Sequence, residues 1–260
     1  MEKLRISLLQ TSLSWENKEE NLKKYDRLLR RLRGKTDVAV LPEMFTTGFT
    51  MHPSALAETA AGPTVAALKS WAAGNGLALA GSFIAGENGR FFNRGFFVTP
   101  EGSVAFYDKR HLFRMAGENE TYAAGRSRSI VRYKGWNIAL IICYDLRFPV
   151  WCRNVRNEYD VLICCANWPE ARRLPWRALL QARAIENQAY VCGVNRTGID
   201  GAGIPFSGDS LVFSPKGEKL ADAGRGQTVR TCTLDREALT RFRAKFPVWE
   251  DMDSFTIDPD

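Results

Sequence analysis

Histidine is nearly missing from this chain: 260 residues contain only His52 and His111. A thiol nucleophile served by an imidazole base therefore has little to draw on. Also absent are a Cys-x-x-Cys pair, zinc-finger spacing, a Walker loop, a GxGxxG after a strand and an RNA-binding aromatic signature, so no metal, cofactor or nucleic acid is called for. No apolar run approaches the roughly 18 to 20 residues that span a bilayer, and no charged segment followed by an apolar stretch opens the sequence. The expectation is a soluble, unexported protein with no membrane partner. Six cysteines without the short, loop-rich character of a disulfide scaffold fit reduced thiols in a cytoplasm, which makes the Asn-x-Thr matches at Asn119 and Asn195 chance.

The formal charge is +7, but much of the excess lies in one segment. From Glu16 to Arg33, Leu22, Tyr25, Leu28, Leu29 and Leu32 recur at helical spacing with lysines and arginines between them. That is the solvated face of an amphipathic helix, a weak footprint for nucleic acid.

The pattern along the chain predicts strands at Leu4–Gln10, Val38–Leu41, Leu77–Phe83, Phe91–Thr99, Val104–Tyr107, Ser129–Tyr133, Trp136–Ile142, Val161–Ala166, Ala189–Val194, Ser210–Phe213 and Thr228–Leu234. Helices are predicted at Thr64–Ala73, Val150–Asn157, Trp176–Asn187 and Arg236–Lys245. Hairpins mixed with strand-helix alternation argue for an α/β fold of mixed sheets covered by helices, in a single domain over residues 1–260. The long loops, Thr46–Ala61 and Leu112–Arg128, are where function is expected.

Most of the cysteines sit inside apolar runs and read as core or sheet residues: Cys164, Cys165, Cys192 and Cys232, with Cys152 in the helix after Pro149. Cys143 differs. It stands where the run Trp136–Ile142 ends abruptly in Tyr144, Asp145, Leu146 and Arg147, so a strand delivers a thiol to its own end. Two other junctions have this form: Val38–Leu41 runs into Pro42 and Glu43, and Val104–Tyr107 into Asp108 and Lys109. Strand ends in α/β sheets gather along one edge, where ligand sites form, so Glu43, Lys109 and Cys143 can meet. A thiol with an ordinary pKa of about 8.5 gains from a base within reach, and Glu43 supplies one. Lys109 then stabilises the negative oxygen of a tetrahedral intermediate, helped by the backbone N–H of Tyr144, and keeps the carboxylate charged.

At these residues the chain resembles the nitrilase superfamily of carbon-nitrogen hydrolases. The resemblance runs from about Leu4 to Phe255 and rests on LPEMFTTGF around Glu43, YDKRHLF around Lys109, ICYDLRFP around Cys143, ANWP at Ala166–Pro169 and ARAIENQAYV at Ala182–Val191. It implies an α-β-β-α sandwich of two mixed sheets flanked by helices, with Glu43 as base, Lys109 as oxyanion stabiliser and Cys143 as nucleophile. It also implies a second glutamate near the lysine. The loop GENETYAAG offers Glu118 or Glu120, and spacing to Tyr122 and Gly125 favours Glu118.

Within the superfamily, CYDLRFP, ANWP and RAIENQAYV are similar to the omega-amidase branch, and HLFRMAGENETYAAG to its bacterial members. That implies hydrolysis of the terminal amide of 2-oxoglutaramate or 2-oxosuccinamate, giving a 2-oxo dicarboxylate and ammonia through a cysteine thioester. The remote carboxylate of such a substrate calls for an arginine fork; Arg147, Arg114 and Arg172 are candidates, with Arg147 equally placed to brace the Cys143 loop. Phe45, Tyr122 and Trp168 are candidates for the apolar walls. The triad alone is shared with hydrolases of N-carbamoyl amino acids, aliphatic amides and nitriles, and the fold also admits non-catalytic binding members. The resemblance implies a homodimer.

Overall fold

Short runs of branched apolar residues become strands here, and each stops where the run meets charge, proline or glycine. In the computed structural model, which describes residues 2–257, they form two six-stranded sheets. The first contains β1 (Lys3–Gln10), β2 (Val38–Val40), β3 (Ala78–Glu87), β4 (Arg90–Val98) and β5 (Val104–Asp108). The second contains β6 (Ser129–Tyr133), β7 (Trp136–Ile142), β8 (Val161–Ala166) and β9 (Tyr190–Asn195). A small hairpin, β10 (Thr197–Ile199) with β11 (Pro205–Ser207), projects from it, and β12 (Leu211–Phe213) and β13 (Lys219–Asp222) complete that sheet. The chain then returns to the first sheet through β14 (Thr228–Asp235), which lies antiparallel to β1 with Lys3 opposite Asp235.

Both sheets are mixed. β1, β2 and β3 are parallel, as are β7, β8 and β9, and the outer strands pair antiparallel. Their facing sides share one apolar core in which Leu4, Ile6, Val38 and Phe97 of the first sheet meet Trp136, Ile138, Val161 and Cys192 of the second. Helix α1 (Lys18–Arg30) and helix α2 (Pro63–Asn75) cover the outside of the first sheet over a second core of Tyr25, Leu29, Leu68 and Trp71. The α-β-β-α sandwich follows from strands buried on both faces.

Two helices are single turns, α3 (Glu118–Thr121) after β5 and α4 (Pro149–Cys152) after β7. Helix α5 (Arg173–Asn187) packs on β9, and α6 (Arg236–Lys245) follows β14. The helix predicted over Val150–Asn157 is thus cut to one turn. Arg153 is extended (φ −61°, ψ 129°), and Arg156 and Asn157 have positive φ. Asn154 takes the place of helical bonding: its side chain accepts from Tyr159 N and donates to the carbonyls of Tyr159 and Asn187. The hairpin β10–β11 and strand β13 were not predicted. Among the described residues no helix is long and apolar enough to cross a membrane.

Candidate active site

Four strand ends converge. Leu41 N–H donates to Ala80 O, and Met44 N–H to the Ser82 hydroxyl at 2.8 Å, which pins the turn that presents Glu43 after β2. Lys109 leaves β5 with its N–H on Asn93 O at 3.0 Å. Gly125 N–H returns to Lys109 O at 2.9 Å, and a Cβ at Gly125 would lie 2.0 Å from Asp108 O, so only glycine lets this loop lie so close. Cys143 opens a tight turn, Cys143–Arg147, after β7 with φ +45°, a left-handed conformation rare outside glycine. Asn167 follows β8.

The side chains meet in a buried centre. Lys109 Nζ donates to Glu43 Oε1 at 2.9 Å and to Glu118 at 2.9 and 3.0 Å, and all three residues are at most 1% exposed. Asn93 Nδ2 donates to Glu43 Oε1 at 2.8 Å and Glu118 Oε1 at 3.3 Å. Asn167 N–H donates to Glu43 Oε2 at 2.7 Å. Of the two loop glutamates, then, Glu118 lies on the lysine while Glu120 is exposed. The Cys143 residue is half-buried, with its sulfur facing the Asn167 carbonyl at 3.8 Å.

Electrostatics follows from burial. Desolvation works against the Lys109 charge, but Glu118, Glu43 and the thiol outweigh it and hold its pKa well above the ordinary lysine value. Burial pushes Glu118 up, with Lys109 opposing and Glu43 adding. Burial also pushes the Cys143 thiol well above its ordinary range, Glu43 adds to this by charge and by hydrogen bonding, and Lys109 opposes. With the thiol pKa raised, attack requires that the sulfur's proton leave as the new bond forms.

A cleft of ≈ 100 Å³ opens over the sulfur. Phe49, Phe113, Tyr144 and Trp168 form walls, the hairpin residues Asp200, Ile204 and Phe206 close one side, and Arg147 and Arg172 enter it. The Arg147 guanidinium lies 5.0 Å over the Trp168 ring and that of Arg172 5.4 Å over Phe113. Among the described residues no carboxylate pairs with either, so Arg147 has no salt bridge through which to brace the Cys143 loop.

Three expected pocket residues lie elsewhere. Phe45 points into the outer core of the first sheet, edge-on to Tyr25 and Phe96, because the turn after β2 sends Glu43 and Phe45 to different layers. Tyr122 packs with Met44 and Ile84, and its hydroxyl donates to Thr50 O at 2.7 Å, so it braces the loop behind the cleft. Arg114 is exposed on the outer side of its turn, and its neighbours Phe113 and Ala116 line the cleft instead. Sequence reasoning missed Asn93 and the wall from β10–β11. An asparagine amid the apolar run of β4 was the available signal for Asn93; the hairpin, short and loop-like, left none.

Two facing mixed sheets flanked by helices, with glutamate, lysine and cysteine gathered at their strand ends, define a hydrolase of carbon-nitrogen bonds. The chain belongs to the carbon-nitrogen hydrolase family, whose model matches residues 5–244. It is 48% identical over 255 residues to the omega-amidase YafV of Escherichia coli K12, covering 98% of each chain. It is 34% identical to the 2-oxoglutaramate amidase of Bacillus subtilis, over 96% of this chain and 98% of that one. A crystal structure from Xanthomonas campestris, a CN-hydrolase superfamily protein with an arsenic adduct in its active site, superposes with a TM-score of 0.97 at 43% identity, over 99% and 100% of the two chains.

Proposed function

We propose that this protein is an omega-amidase that hydrolyses the terminal amide of 2-oxoglutaramate or 2-oxosuccinamate to the 2-oxo dicarboxylate and ammonia. The observation that carries this reading is a pair of arginines, Arg147 and Arg172, with no carboxylate partner among the described residues, in the same small cleft as Cys143. A carboxylate at the far end of the substrate meets such a pair, with the scissile amide directed at the sulfur. Full-length similarity to proteins named omega-amidase and 2-oxoglutaramate amidase supports the same substrate class.

The reaction runs in two halves. Cys143 Sγ attacks the amide carbon as Glu43 takes the thiol proton; the carbonyl oxygen becomes an oxyanion held by the Lys109 charge and the Tyr144 N–H. The C–N bond then breaks, Glu43 returns the proton to the nitrogen, and ammonia leaves a thioester. Water attacks that thioester with its proton passing to Glu43, and collapse breaks the C–S bond as Glu43 returns the proton to the leaving sulfur, restoring the thiol and releasing the acid. Glu118 keeps Lys109 oriented throughout. Phe49 and Trp168 shield the centre from bulk water.

We read the chain as one hydrolase domain acting as a homodimer in the cytoplasm. Six free cysteines with no disulfide support a reducing compartment, and the dimer rests on the resemblance to the superfamily. The decisive experiment measures ammonia release from 2-oxoglutaramate, 2-oxosuccinamate, glutamine, an N-carbamoyl amino acid and an aliphatic nitrile. The first two are expected to be the best substrates; turnover led by any other sinks the omega-amidase reading while leaving a carbon-nitrogen hydrolase. Cys143→Ala is expected to abolish ammonia release from all of them.

A further inference from the structure

Asp145 takes no part in the chemistry above, yet it is wholly buried and both of its oxygens are fully engaged. Oδ1 accepts from the His111 backbone N–H and from its ring Nδ1, both at 2.9 Å. Oδ2 accepts from the Tyr107 hydroxyl at 2.7 Å and from the Ile142 N–H at 3.0 Å. All four partners present hydrogens, so the position calls for an acceptor-only group, which a carboxylate is and an amide is not.

The identity of the donors matters more than their number. Tyr107, in β5 of the first sheet, and His111, in the loop that follows it, stand two residues before and two after Lys109. Ile142 directly precedes Cys143, on the second. One carboxylate therefore ties the strand end that presents the lysine to the strand end that presents the sulfur. Further contacts stiffen both sides. The His111 ring stacks on Phe148 at 3.7 Å with 5° between planes, and Trp151 Nε1 donates to the Tyr107 hydroxyl at 2.8 Å. The Asp145 carbonyl accepts from Phe148 N–H at 3.0 Å, and Arg183 donates to Leu146 O at 2.8 Å. Enclosed in this frame is the positive φ of Cys143, a strained conformation that persists only where surroundings impose it.

We propose that Asp145 is a positioning residue that fixes Cys143 relative to Lys109, with Tyr107 and His111 as the lysine-side ends of the clamp. It acts through the registration of sulfur and ammonium at the oxyanion, so its loss lowers turnover while leaving the arginine end of the cleft, and hence substrate binding, in place. The inference rests on the hydrolytic reading of the Glu43, Lys109 and Cys143 centre, whichever amide proves to be the substrate.

The test uses the full-length enzyme with the best amide from the substrate panel, and counts functional sites by active-site titration of Cys143. Asp145→Asn puts an amide N–H against donors; kcat per titrated site is expected to fall about 100-fold, the scale of an ångström of misplacement, with KM within about twofold. Tyr107→Phe deletes one hydroxyl and keeps the ring, so it remains informative if the first variant folds poorly; its kcat per site should fall several-fold. In the double variant the losses should combine to less than their product, as expected when both act through one clamp. A merely structural role would reduce the number of titratable sites and the Tm but leave kcat per site unchanged, and that result overturns the proposal. So does a loss borne by KM instead. A wild-type enzyme idle on every amide would instead count against the functional reading itself.

Discussion

Lys109 is the cation buried between the carboxylates of Glu43 and Glu118. Removing it costs twice, once in the transition state and once in the fold. Lys109→Ala is expected to lose about 2.7–4 kcal/mol of transition-state stabilisation, a fall of roughly 10²–10³ in kcat, if it serves as an oxyanion donor. Two buried carboxylates left facing each other should also lower folding stability by about 3–5 kcal/mol. Steady-state kinetics below the variant's melting transition separates the two effects; a loss of only a few-fold in kcat would remove Lys109 from the chemistry. The sulfur offers a test by pH. Because its pKa is raised, its reactivity should follow a thiolate that forms only above the ordinary thiol value of about 8.5. Alkylation by iodoacetamide is expected to keep accelerating through that value, and a plateau below it would mean that the resting sulfur is already ionised. At this scale the chain was most readable where chemistry is rarest. A cysteine, a lysine and a glutamate each ending an apolar run were visible as such; Phe45 and Tyr122 were not separable from core residues, because an aromatic in a wall and one in a core are the same residue type at the same spacing.

Elements hold these groups through close packing at their backs. Gly193 in β9 lies against α5, where a Cβ would stand 2.5 Å from Leu180 Cδ1 and 2.9 Å from Trp176 Cζ2. Trp176 in turn lies 5.3 Å from the cleft residue Trp168. Gly193→Ala is therefore expected to destabilise the fold by about 1–3 kcal/mol and to raise KM by displacing Trp168 from behind. Thermal unfolding and substrate titration measure the two, and a variant unchanged in both would mean that α5 has slack. The elements themselves were largely legible, since β6, β7, β8 and α6 occupy the predicted residues. What failed was the segment after Pro149. Its composition suits a helix, but Asn154 satisfies the backbone from its side chain and a left-handed pair at Arg156 and Asn157 reverses the chain. Such competition between side chain and ladder leaves no periodicity to read.

At the scale of the molecule, the sheets are joined by charge as well as by apolar contact. Asp37, before β2, bonds Arg5 of β1 and also Lys134 in the turn between β6 and β7. Burial alone would push its pKa up, but these two cations hold it at about 2, against an ordinary 3.8. A depressed carboxylate contributes stability above its unfolded value and loses it as pH falls through the folded one. Unfolding free energy is thus expected to decline from about pH 4 towards pH 2, and Asp37→Asn should be less stable near neutrality with a shallower acid decline. Urea unfolding across that range measures it; identical slopes would place the acid sensitivity elsewhere. The resemblance that made the two-sheet arrangement legible said nothing of this link, for Asp37 and Lys134 are far apart in sequence and each reads alone as surface charge.

The pairing of β14 with β1 also has a consequence in time. Thr228–Asp235, the antiparallel neighbour of Lys3–Gln10, is synthesised long after it. At roughly 5–20 residues per second, one edge of the first strand waits about 10–45 s for its partner. Through that interval the unpaired backbone N–H and C=O groups along one side of β1 present an open edge to any other nascent chain. Newly made protein is most exposed to aggregation before Thr228–Asp235 arrives, so brief protection of Lys3–Gln10 through that interval should raise the yield of folded enzyme.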